Sequence, residues 1–293
     1  LEQDGCLTTP YSRIMESDLP NLVITFDYLL QRTRFAPLMS EALQLLEKHY
    51  HSAVDVEFTV NIPNPQASPV EVKISLLQCR PQSSLESNGQ KGRLLVDLAT
   101  EDIVFSSCFI VPQGYLANIR QVIYVDPERY FALPSALDRN EVGKVIARLN
   151  ALLEKKAFIC VGPGRWGATN IDLGVPVSYA DICYTGALVE LSGAGMGVGP
   201  EPSLGTHFFQ DLMEAQIYPV AVSLDDKSTI FNKEFFEEMP NRIEKYVNLA
   251  PELKDCVKLI EVASFRSGCH IDLSMDDEKG QSVAFLVPDE TIA

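Results

Sequence analysis

Two short segments near the start of the chain alternate polar and apolar residues so regularly that a β-hairpin is the natural way to fold them. Val54-Asp-Val-Glu-Phe-Thr-Val60 places Val54, Val56, Phe58 and Val60 on one face of an extended strand and Asp55, Glu57 and Thr59 on the other. In the second segment, Val70 to Pro81, strict alternation puts Gln78 and Arg80 in line with Val70, Val72, Ile74 and Leu76. Between them, Asn61-Ile-Pro-Asn-Pro-Gln-Ala-Ser-Pro69 carries three prolines and two asparagines, a composition that turns the chain back on itself. The hairpin would gather a carboxylate (Glu57), a neutral amide oxygen (Gln78) and a guanidinium (Arg80). That trio suits a magnesium-bound polyphosphate, with hard oxygens for the metal and a planar cation for the phosphate. Asp55 either supports the metal from a second layer or faces water.

A helix over Ala36–His49, then Asp55-Val-Glu57 on a strand, a turn, and a strand ending Leu77-Gln-Cys-Arg-Pro81 resembles the close of the ATP-grasp domain of pyruvate phosphate dikinases and phosphoenolpyruvate synthases. The resemblance implies ATP and Mg²⁺ as cofactors, Glu57 and Gln78 as metal ligands, and Arg80 as the catalytic phosphate clamp. It covers about residues 1–82, which match the end of such a domain, and it implies that the adenine-gripping part lies upstream of Leu1. Singly, a Glu on a polar strand face is usually solvated, and a Gln or Arg at a strand end often satisfies backbone groups. Order and spacing together carry the reading.

At 293 residues the chain has room for more than one domain and a sizeable core. Its formal charge of −16 argues against nucleic acid or an anionic membrane as partner, since both need clustered cations. Seven dispersed cysteines show no Cys-x-x-Cys spacing, and Cys79, Cys108, Cys160 and Cys183 sit in apolar, strand-like runs. With no secretory signal and no spanning apolar run, this reads as a cytoplasmic protein and a C-terminal piece of a longer one.

The polar stretch 83–92 separates the ATP-grasp-like portion, 1–82, from a region over 93–293 in which strand and helix patterns alternate. Strands are expected over Arg93–Leu98, Ile103–Val111, Asn118–Val125, Phe158–Val161, Gly186–Leu191, Ile217–Val222 and Val257–Phe265. A closing hairpin is expected from Ile271–Met275 and Ser282–Val287. Helices are expected from Asp138, on the capping-box spacing to Glu141, to about Lys155, and over Thr206–Ala215 and Lys233–Leu249. The fold class is therefore α/β with a mixed sheet, α+β being the alternative.

Cys160-Val-Gly-Pro-Gly-Arg-Trp-Gly-Ala-Thr-Asn170 holds the only Trp of the chain. Amides freed by Gly162 and Gly164, beside Arg165, can form an anion site; the alternative is a tight turn plugged by Trp166. The Gly-Lys-Ser/Thr ending of a Walker loop is absent. Gly-Pro-Gly-Arg-Trp-Gly also resembles a segment of proteins that carry a pyruvate phosphate dikinase ATP-binding domain. A second glycine run, 193–199, precedes prolines and reads as a loop rather than a dinucleotide fingerprint. Glu190, at its entry, has no evident partner in the sequence.

His207 would open a helix capped by Thr206, where helix-end amides favour anions. The dikinase family carries its phosphoryl group on a histidine in a Thr-Ser-His context; Gly205-Thr-His207 is a shorter match with a bulkier flank, and a capping or packing role fits it better. The carboxyl ends of the strands at 158–161 and 186–191 should bring the Gly162–Gly167 loop near Thr206. Two functions are open. One is an ATP-dependent phosphotransferase that needs a small-molecule phosphoryl acceptor and the remaining N-terminal domain; by itself this piece would bind Mg-ATP weakly or not at all. The other is a ligand-binding or interaction module beside a degenerate ATP-grasp domain.

Overall fold

The computed structural model describes residues 2–3, 6–8, 22–23, 25–81, 98–108, 113–155, 157–168, 170–193, 203 and 207–289. The protein is α/β with mixed sheets and divides into two compact units, Leu1–Gln82 and Ser83–Ala293. The expected linker, the strand over 93–97 and most of the second glycine run lie outside the described residues.

The first unit holds a short ladder of β1 (Glu2–Gln3) and β2 (Cys6–Leu7), helices α1 (Asp27–Arg32) and α2 (Phe35–Tyr50), and the hairpin β3 (Val54–Asn61) and β4 (Lys73–Pro81). Helix α2 buries Phe35 and Met39, and the Phe35 ring meets Phe58 of β3 at 5.7 Å, so the helix covers the apolar face of the hairpin. The apolar row Val54, Val56, Phe58, Val60 is what calls that helix down, leaving the opposite face polar.

In the second unit, β5 (Ile103–Ser107), β6 (Gly114–Ile119), β12 (Cys269–Asp276) and β13 (Gln281–Pro288) form an antiparallel sheet in the order β5-β13-β12-β6. A five-stranded sheet runs β10-β9-β8-β7-β11, built from β7 (Gln121–Val125), β8 (Phe158–Pro163), β9 (Ala187–Ser192), β10 (Tyr218–Ser223) and β11 (Val257–Glu261). Strands β7 to β10 are parallel and β11 joins β7 antiparallel. Alternate residues of the central strands serve two cores. Val122, Tyr124, Ile159, Val161 and Val189 face the four-stranded sheet, while Ile123, Val125, Phe158, Cys160 and Leu188 face the helices. Those helices are α3 (Pro127–Phe131), α4 (Ala136–Leu152) and α5 (His207–Glu214). Burial on both faces explains why these strands read as continuous apolar runs, each fully buried Val, Ile or Phe contributing roughly 1.5–3 kcal/mol.

Several boundaries differ from the sequence reading for local reasons. The run 118–125 is two strands, because Asn118 takes φ 62° and Arg120 interrupts the ladder. Helix α4 starts earlier, its cap being Ser135, whose hydroxyl accepts from Asp138 N at 3.2 Å, while Glu141 pairs with Lys144 at 2.9 Å and Arg148 at 3.2 Å. No long helix forms over 233–249. A short turn at Glu234–Glu238 stops before Pro240, and the next residue lashes the chain to β11. Asn241 accepts from Ile243 N and Leu259 N, both at 3.0 Å, and donates to Val257 O at 2.8 Å and Lys254 O at 3.2 Å. The stretch 257–265 is strand β11 followed by the short helix α6 (Val262–Phe265). Cys108 is exposed just beyond β5 and Cys183 lies in a turn, so neither is a strand thiol. Among the described residues no helix is long and apolar enough to cross a membrane.

Candidate functional site

In the hairpin, Asp55 stands opposite Arg80 and Glu57 opposite Gln78, and then the register shifts, so that Phe58 stands opposite Leu76 and Val60 opposite Ile74. Leu77 is the extra residue of a β-bulge. Directly opposed residues of an antiparallel pair project to the same face. Before the bulge, Ile74 and Leu76 therefore join the apolar row of Val60 and Phe58; after it, Gln78 and Arg80 join the polar row of Glu57 and Asp55. The expectation that Gln78 and Arg80 continue the line of Val70, Val72, Ile74 and Leu76 is thus corrected. One inserted residue flips the side chains that follow to the opposite face. That flip is what assembles Asp55, Glu57, Gln78 and Arg80 on one surface.

The set combines two carboxylates, one carboxamide and one guanidinium. Among the described residues no group of three or more His, Cys, Asp or Glu could hold a metal ion. Magnesium with nucleotide commonly uses only one or two protein carboxylates, the remaining ligands being phosphate oxygens and water, and Glu57 with the Gln78 oxygen fits that demand. With its oxygen turned toward Arg80, the Gln78 carboxamide accepts from the guanidinium Nη2 at 2.8 Å and from Nε. Glu57 is exposed, and Gln78 and Arg80 are half-buried, which suits a surface open to a ligand.

The Gly162–Gly167 loop is built differently from the expected anion cradle. Gly164 N donates to Leu191 O at 2.8 Å, Arg165 N to Leu173 O at 2.8 Å, and Gly167 N to Val175 O at 3.3 Å. Trp166 N donates to Glu190 Oε1 at 2.8 Å. The amides of 164–167 are therefore all engaged within the protein, three by backbone carbonyls and that of Trp166 by the carboxyl of Glu190. Gly162 is a packing position: a Cβ there would lie 2.8 Å from the Trp166 ring and 2.9 Å from Val125 Cβ. Trp166 is fully buried, so the plugged-turn alternative describes the loop, and the free-amide site at Gly162, Gly164 and Arg165 is corrected.

Glu190 is the residue that sequence reasoning passed over. It is only 6% exposed and also accepts from Ser203 N at 2.5 Å and Ser203 Oγ at 2.7 Å, while that same hydroxyl reaches Trp166 O at 2.9 Å. Burial pushes its carboxyl up to about 7, against the opposing pull of the Ser203 and Trp166 hydrogen bonds and the Arg165 charge. One hydroxyl proton cannot serve both Glu190 and Trp166 O. The protonated carboxyl, donating to Ser203 Oγ, satisfies both, which agrees with the raised value. The available signal was a lone carboxylate inside the apolar run Ala187-Leu-Val-Glu-Leu191, a residue that cannot be buried without donors.

The loop does lie beside the start of α5. A Cβ on Gly167, which has φ 73°, would come within 2.6 Å of the Phe208 ring. His207, the first residue of α5, is exposed; Thr206 lies outside the described residues. Comparison of the chain with protein-family models, curated proteins and solved structures finds no match.

Proposed function

We propose that this chain is part of an ATP-dependent phosphotransferase related to pyruvate phosphate dikinases and phosphoenolpyruvate synthases, and that the polar face of the β3–β4 hairpin contributes its Mg-ATP contacts. The observation that carries the reading is the bulge at Leu77, which turns Gln78 and Arg80 onto the face of Glu57 and Asp55. A bulge beside a set of functional side chains is a common device for aiming them. Glu57 and the Gln78 oxygen hold the metal, and Arg80 clamps a phosphate in a planar, two-pronged contact. Bound magnesium would supply charge neutralisation at the phosphates, while the protein's own share is positioning and electrostatics. The acceptor is a small molecule held by another part of the protein. With the amides of 164–167 engaged internally, phosphate handling in this reading rests on the hairpin. The cysteines Cys79, Cys108, Cys160, Cys183, Cys256 and Cys269 are unpaired, which fits a reducing, cytoplasmic setting.

Calorimetric titration of Mg-ATP into the full-length protein tests this. Loss of one charge-assisted phosphate contact in Arg80→Met should weaken binding by about 1.5–3 kcal/mol, roughly 10- to 150-fold. Glu57→Gln should weaken Mg-ATP but not metal-free ATP. Unchanged affinity in both variants would remove the hairpin from the nucleotide site.

A further inference from the structure

At the carboxyl ends of β7, β9 and β10 the second unit opens a cleft of about 600 Å³. Open α/β sheets bind ligands at this edge, and the volume lies within the range of about 300–1,000 Å³ typical of small-molecule sites. Tyr124, one residue from the end of β7, forms part of its wall. It is 3% exposed, and its ring is held by Phe236 at 5.0 Å and Phe231 at 6.5 Å. No described residue hydrogen-bonds its hydroxyl, although the ring is buried and the hydroxyl belongs to the cleft wall. The hydroxyl is not one of the buried polar atoms left without a partner, so it is the part of the side chain that opens to the cleft, where a ligand can reach it.

The side-chain charges that act most on that hydroxyl are carboxylates. Burial, then the carboxylates of Asp126, Glu237 and Glu128, push the phenol well above its ordinary range, so it stays protonated. Asp126 is fixed at the cleft by capping α3, accepting from Arg129 N at 3.0 Å. Of the cations lining the cleft, Lys258 is turned to the backbone, donating to Glu237 O at 2.6 Å, and Arg129 and Lys233 are exposed. An anionic ligand would meet the three carboxylates, and no described cluster suits a metal ion. An ammonium group has three donors and no acceptor, and aromatic faces attract it. We propose that this cleft binds a small alkylammonium compound, its head donating to Asp126, Glu237 and the Tyr124 oxygen and its aliphatic stem lying along Phe231. The inference is independent of the hairpin reading, because every residue it uses belongs to the second unit.

The test is a titration with 1,4-diaminobutane, with 1,4-butanediol as the uncharged probe, at about 0.15 M salt to screen diffuse attraction to the acidic surface. Asp126→Asn removes the charge while keeping a capping side chain, and Tyr124→Phe removes only the hydroxyl. Should Asp126→Asn unfold, Glu237→Gln removes a neighbouring exposed charge without touching the cap. The diamine should bind and the diol should not, with either charge-removing variant weakening binding about tenfold and Tyr124→Phe several-fold, as expected for single lost hydrogen bonds to a cation. Equal binding of the diol, no binding of the diamine, or diamine binding that no variant alters would each overturn the proposal. The last outcome would mean attraction to the net charge of −16 alone.

Discussion

Replacing Glu190 with Gln should change the stability of the second unit in a pH-dependent way. The folded carboxyl titrates at about 7, against 4.5 for an unperturbed glutamate. Between those values the folded state holds a proton that the unfolded state has released, so stability falls as pH rises. A difference of about 2.5 pH units at roughly 1.4 kcal/mol each gives a loss of about 3.5 kcal/mol across the window. Gln keeps an acceptor for Trp166 N but turns an NH₂ toward Ser203 N, stranding one donor at roughly 1–3 kcal/mol. At pH 5 the variant should therefore be less stable than the parent by about that amount. At pH 8 it should be equal or more stable by about 1 kcal/mol, because it no longer buries a charge. Urea unfolding followed by Trp166 fluorescence reads this directly, since Trp166 is the only tryptophan and is buried in the same network. The difference between variant and parent cancels the other titrating groups. If that difference were the same at pH 5 and pH 8, the assignment of Glu190 as a buried, protonated latch would be wrong.

Gly167→Ala places a Cβ at φ 73° and against Phe208, and should cost about 2–4 kcal/mol from left-handed strain plus overpacking, read as a lowered unfolding midpoint. Cys160 and Cys256 are buried with thiols pushed up to about 12, chiefly by burial, so at pH 8 a thiol reagent should reach them only after denaturation, whereas exposed Cys108 should react in the native protein. Deleting Leu77 removes the bulge but leaves Gln78 opposite Glu57 and Arg80 opposite Asp55 in regular pairing, so it should cost Mg-ATP affinity much less than Arg80→Met, with the hairpin still paired in NMR spectra.

The strands were legible wherever apolar residues ran unbroken, as over 158–163 and 187–192, because burial on both faces leaves no other pattern. The closing hairpin was legible from the turn residues around 276–280. Where one side chain reorganises the backbone, the sequence pattern misled. Asn241 binds four backbone groups and holds 239–249 out of a helix, a role that depends on strand β11 far along the chain. For the candidate site, residue types and order were readable at Glu57, Gln78 and Arg80, but their common face depends on a bulge that strict alternation does not anticipate. Glu190 stayed unread because its donors, Trp166 N and Ser203, come from distant loops and two of them are backbone amides.

In the proposed role, the Asp55–Glu57 and Gln78–Arg80 face of the hairpin touches a metal-bound nucleotide. Titrating Mn-ATP into the isotopically labelled full-length protein and recording paramagnetic broadening, which marks the nuclei nearest the metal, measures this most directly. The signals of Glu57 and Gln78 should broaden first, Arg80 should follow, and Glu57→Gln should abolish the effect. Broadening centred on the Gly162–Gly167 loop or the start of α5, with the hairpin signals unchanged, would contradict it.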